Sequence, residues 1–145
     1  MNDNNAIDID GNEYNVIKIG DLYWTVENLK TTKFNDGTDI KLITDNEEWD
    51  DGWENNMPAY CYYDNDLDNK NKYGALYNFH VVNTGKLAPE GWRVPTDDDW
   101  TNLEDYLIYS GYNWDGSTSE KSMMTFGLLQ KIFVMHWSTQ TQQQH

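Results

Sequence analysis

Turn residues cut the first hundred or so residues into short pieces, and this limits the fold more than any other feature. Asp10-Gly11-Asn12, Gly20-Asp21 and Asn35-Asp36-Gly37-Thr38 each read as a turn. Gly85 and Gly111 stand where helices stop. Between these marks, Tyr14 to Ile19 is β-rich, and Leu22 to Val26 follows as its hairpin partner. Ile40 to Ile43 reads as a short strand. Pro58 precedes Ala59-Tyr60-Cys61-Tyr62-Tyr63, a third aromatic strand. Asp45 to Trp49 starts a helical turn with Thr44 as its expected cap, ahead of an acidic loop from Glu47 to Glu54. Asp64 to Lys72 reads as a polar loop, and Tyr73 to Val82 as a short helix ending near Gly85. The strongest helix signal is Pro95-Thr96-Asp97-Asp98-Asp99. Thr96 is the cap and Asp99 its box partner, the aspartates suit the positive helix end, and Trp100, Leu103, Tyr106, Leu107 and Ser110 share one face. Short strands and short helices of this kind predict an α+β chain.

A chain of 145 residues fits one domain. With 7 Trp, 10 Tyr and 4 Phe it has the apolar bulk for a core despite its polar average. Its net charge of −15 argues against nucleic acid and against an anionic membrane surface. The same charge also serves solubility, and divalent cations stay compatible with it. Cys61 is alone, so no internal disulfide forms, and His80, His136 and His145 are too scattered for a zinc site. No signal peptide is visible at Met1 to Ala6, and no run reaches the ~18–20 apolar residues a membrane span needs. As written, the chain is expected to be cytoplasmic or carried in a larger assembly such as a virion.

A compositional break falls near residue 120. All 25 acidic residues lie between Asp3 and Glu120, and beyond it only Lys121 and Lys131 carry formal charge. Met123 to Trp137 is largely apolar and reads as a helix, followed by a polar tail. The expected division is a flexible lead-in over 1–9, a domain over 10–120, and an atypical helix and tail over 121–145.

Three stretches carry a family resemblance. The first runs from Asp10 to Tyr14, through Val16 to Gly20, to Trp24-Thr25-Val26-Glu27-Asn28-Leu29-Lys30 and on to Thr38. The second is Pro58-Ala59-Tyr60-Cys61-Tyr62-Tyr63 with Lys72-Tyr73-Gly74-Ala75-Leu76-Tyr77-Asn78-Phe79. The third is Val82 to Thr96, including Gly91-Trp92-Arg93-Val94-Pro95-Thr96, with Asp99-Trp100. In order and spacing they resemble the Fibrobacter succinogenes major paralogous domain over roughly 8–116. The third also resembles the Gly-Trp-Arg-Leu-Pro-Thr-x-x-x-Trp signature of formylglycine-generating-enzyme folds. The resemblance implies a C-type-lectin-like or formylglycine-generating-enzyme-like module with small antiparallel sheets and two main helices. It also implies recognition of a glycan or protein at a bacterial or phage surface. Beyond Glu120 the family's Ser-Gly-Phe-x-Ala-Leu-Pro-Gly-Gly-x-Arg ending is missing, so the module is expected to be incomplete at its C-terminus, through truncation or a frameshift.

No catalytic constellation stands out, and the copper-binding cysteine pair of formylglycine-generating enzymes is absent, so the chain is not expected to be an enzyme. Trp49, Trp53, Tyr60 and Tyr62 are the candidate ligand-binding residues, because aromatic faces stack on the apolar faces of sugar rings; the alternative is that these rings fill the core. Strand alternation separates Tyr60 and Tyr62 from Cys61 and Tyr63. Asp64, Asp66 and Asp68 stand at the 1, 3 and 5 positions of a calcium loop, yet Asn69 replaces its glycine and Ala75 its bidentate glutamate. This is no EF-hand; the open choices are a weaker calcium site and a solvated turn. The second functional reading is a structural subunit of a larger, oligomeric assembly that packs through the Met123–Trp137 helix.

Overall fold

A computed structural model describes residues 5–113 and 116–118. The expected helix from Met123 to Trp137 lies outside the described residues. The architecture is α+β, with two small three-stranded sheets.

The first sheet is antiparallel. It contains β1 (Asn5–Ile7), β2 (Glu13–Ile19) and β3 (Leu22–Thr25), in that order. The β2–β3 hairpin sits at the expected turn, with Ile19 opposite Leu22 and Gly20 at φ +61°. Strand β1 corrects the expected flexible lead-in: Asn5 to Ile7 pair with Asn15 to Glu13. Ala6 and Asp8 are buried. Local composition hides this strand, because its partner is eight residues away across a turn.

The second sheet contains β4 (Lys41–Leu42), β5 (Ala59–Cys61) and β6 (Leu76–Tyr77). β4 pairs parallel to β5, and β5 antiparallel to β6. This sheet is therefore mixed rather than wholly antiparallel. The parallel step requires a crossover, which is supplied by the helix α1 (Asn46–Glu54). Two 3-10 turns, Tyr63–Asn65 and Leu67–Asn69, lead into the one-turn helix α2 (Lys70–Tyr73).

The expected helix over Tyr73 to Val82 is instead β6 followed by α3 (Phe79–Asn83). Two residues enforce the split. Gly74 adopts φ +71°, ψ −158°, a region open only to glycine. A Cβ there would come within 2.5 Å of the Leu29 carbonyl. Asn78 then caps α3, accepting from Val81 N at 3.1 Å.

The main core gathers Tyr14, Tyr60, Tyr62, Tyr77, Val81 and Leu87. The Tyr14 and Tyr77 hydroxyls are satisfied. Tyr14 donates to Asp8 and accepts from Lys30 N at 3.0 Å, and Tyr77 donates to the Thr31 carbonyl at 2.7 Å. Burial pushes both phenols well above their ordinary pKa.

The last described helix, α4 (Asp97–Tyr109), forms the second core. Its start matches expectation: Thr96 and Asp99 make a complete capping box. Trp100, Leu103 and Leu107 pack against Trp24, with the Trp24 and Trp100 rings 5.1 Å apart. Tyr106 and Ser110, expected on the buried face, are exposed, and Ile108 is buried instead. The buried stripe therefore runs along 100, 103, 107 and 108.

Candidate functional site

Asp45 accepts from Glu48 N at 2.9 Å and starts α1, displacing Thr44 from the expected capping role. The helix continues through the stretch expected to be an acidic loop. Trp49 and Trp53 stand four positions apart, so both indoles share one helical face. Both are half-buried. Gly52 lies on the buried side, where a Cβ would rest 3.5 Å from Ile43 Cδ1 and 3.7 Å from Met57 Cβ. A Cβ at 52 would make ordinary van der Waals contact with Ile43 and Met57, which line the seat of α1 on the second sheet. On the outer side Lys41 pairs with Glu48 at 2.6 Å.

Beside the tryptophans lies an open cleft of about 600 Å³. One wall is α1, presenting Asn46, Trp49, Asp50, Trp53 and Glu54. Ile43, Thr44 and Asp45 from the link between β4 and α1, Cys61 from β5 and Asn65 from the first 3-10 turn complete it. Trp53 is fixed from behind. His80 packs on its ring at 4.9 Å, and its Nε2 donates to the Trp53 carbonyl at 3.2 Å. Asn65, at φ +52°, donates its amide to the Thr44 carbonyl at 2.9 Å and so holds the far rim.

The four candidate aromatics therefore divide. Trp49 and Trp53 meet at one cleft. Tyr60 and Tyr62 are only 5% exposed and pack edge-on with ring centroids 5.6 Å apart, so they are core residues and offer no face to a ligand. Strand alternation predicts this separation: the opposite face carries Cys61, half-buried at the cleft, and Tyr63, exposed. Burial pushes the Cys61 thiol up to about 11, so it stays protonated near neutral pH.

The proposed calcium ligands do not converge. Among the described residues no group of three or more His, Cys, Asp or Glu side chains is placed to hold a metal. Asp64 sits in the left-handed region at φ +54°, and Asp66 spends its carboxylate accepting from Asp68 N at 3.0 Å. Here the 1-3-5 spacing produces two consecutive 3-10 turns, and all three side chains are exposed.

A second hollow, about 480 Å³, lies between Leu22–Trp24 and Gly91–Pro95. Its rim is the bidentate Arg93–Asp99 pair that anchors the start of α4. The indole N–H of Trp24 has no acceptor there among the described residues. These walls, which include Tyr23, Trp24 and Trp92, tie α4 to the first sheet, and their carboxylate is taken up by Arg93, whereas the tryptophan cleft sets its aromatic faces beside amides and carboxylates. Sequence reasoning missed Asp50, Glu54, Asn46 and Asn65 as its polar lining. The available signal was the four-residue spacing of the tryptophans after Asp45, which marks a helix face.

Among the described residues no helix is long and apolar enough to cross a membrane. No curated protein and no solved structure matches the chain. The sequence matches the profile of the Fibrobacter succinogenes major domain over residues 17–144, a region that extends past Glu120. With most of its length in that match, the chain belongs to the Fibrobacter succinogenes major domain family.

Proposed function

We propose that the protein is a non-catalytic recognition module that binds a glycan through the Trp49/Trp53 cleft, at a bacterial or phage surface. The observation that carries this reading is the pair of half-buried indoles on one face of α1, opening into a cleft lined with amide and carboxylate groups. Indole faces stack on the apolar faces of sugar rings, and the polar rim matches ring hydroxyls. Trp53 is pre-positioned by His80, which lowers the entropy lost on binding. A C-type-lectin-like or formylglycine-generating-enzyme-like arrangement of the α+β elements belongs to this reading. So does a lack of enzyme chemistry. The test is a panel of neutral, amino and acidic oligosaccharides titrated against intrinsic tryptophan fluorescence. The expected result is saturable quenching by at least one saccharide, lost in Trp49→Ala and Trp53→Ala variants that keep a cooperative unfolding transition. Saturable binding that survives both substitutions places the site elsewhere and contradicts the proposal.

A further inference from the structure

The charge of the cleft narrows the ligand further. Asp50 and Glu54 line it beside Trp49 and Trp53, and Asp45 stands at its edge. Among the described residues no Lys, Arg or His lines it. Lys41, the cation nearest in the sheet, is taken by Glu48. Among the described residues neither Asp50 nor Glu54 is in an ion pair. The helix does not account for these carboxylates. Asp50 and Glu54 are like charges at four-residue spacing, which repel along the helix. Glu54 sits in the last turn, where the helix dipole disfavours an anion and no basic residue compensates. An anion at that position gains most from a cation brought by a ligand. An indole face beside it adds attraction for the same cation.

We infer that the cleft takes an amino sugar with a free, protonated amine, its ring stacked on Trp49 and Trp53 and its ammonium held by Asp50 and Glu54. This inference rests on the carbohydrate reading of the cleft. It excludes uronic and sialic acids, whose carboxylates would face Asp50 and Glu54 without a counter-cation.

The test compares glucosamine oligomers with their N-acetylated counterparts of equal length on the intact chain. Acetylation removes the charge and leaves the ring. The free-amine oligomer is expected to bind about tenfold more tightly at low salt. The preference should shrink to about twofold in Asp50→Asn/Glu54→Gln, and should shrink likewise in wild type as salt is raised. Equal binding of the two oligomers, or tighter binding of a uronic-acid oligomer, overturns the amino-sugar inference and leaves the carbohydrate reading standing. If a folded protein binds none of the saccharides, both fall. If an oligolysine peptide binds while all saccharides stay silent, the cation is carried by a peptide, and the amino-sugar inference is overturned.

Discussion

The side-chain amide of Asn78 ties three segments together from a buried position. Its oxygen accepts from Ala59 N at 3.2 Å and from Val81 N at 3.1 Å, and its nitrogen donates to the Met57 carbonyl at 2.8 Å. One residue thereby caps α3, fixes the start of β5 and holds the loop leaving α1. Asn78→Ala would leave these buried backbone groups unpaired, at a cost of about 2–4 kcal/mol. Urea denaturation would read this as a lower midpoint with an unchanged slope. Asp99 makes a prediction about pH. The Arg93 guanidinium beside it, with the Thr96 N–H and hydroxyl, holds its carboxyl well below the usual carboxylate range. A folded-state pKa below the unfolded value of about 3.9 stabilises the fold above that pH, and the contribution is lost as pH falls through it. The stability gap between wild type and Asp99→Asn should therefore be widest above about pH 5 and should narrow below about pH 4. A gap that does not change with pH would show that Asp99 acts through packing rather than charge.

At the scale of elements, α1 sets the position of the cleft, and Gly52 lies where α1 meets Ile43 and Met57. A Cβ at Gly52 meets only ordinary van der Waals distances, and its backbone is not in the left-handed region. Gly52→Ala should therefore raise stability by about 0.5–1 kcal/mol through helix propensity and unfolded-state entropy. A loss of stability in thermal melts would mean that the helix already sits as close to Ile43 and Met57 as it can. The elements legible in the sequence were those with complete local instructions. The β2–β3 hairpin has β-rich runs joined by Gly20-Asp21, and α4 has its Thr96/Asp99 box. Where the deciding information was tertiary, the reading failed. β1 is a three-residue Asn-Ala-Ile segment inside an Asp- and Asn-rich lead-in, and it becomes a strand by pairing with the edge of β2. Leu76, Tyr77, Phe79 and Val81 fit either a strand or a helix, and Gly74 pressed against Leu29 settles which. The Asp45–Glu48 cap was present in the sequence, but five acidic residues within α1 look like a solvated loop until Gly52 and the tryptophans find the sheet. Half of the candidate site was legible for the same reason. Trp49 and Trp53 are visible as aromatics in polar surroundings, whereas Asn65 reaches the cleft only through the fold.

At the scale of the molecule, two cores are joined through the Gly91–Trp100 stretch, and the tryptophan cleft lies on the second sheet, away from the Arg93–Asp99 anchor. The family signature residues thus hold the scaffold together, while the candidate ligand face is built from α1 and the turn after β5. The net charge of −15 favours solubility and repels polyanions, in keeping with the proposed amino-sugar ligand. The most direct test of the recognition role is the shift in melting temperature caused by the best-binding saccharide, measured in wild type and in Trp49→Ala/Trp53→Ala. A ligand at 100 times its Kd stabilises the native state by about 2.7 kcal/mol. An upward shift is expected in wild type and none in the double variant. Equal shifts in both proteins, or no shift in wild type with any saccharide, would contradict it.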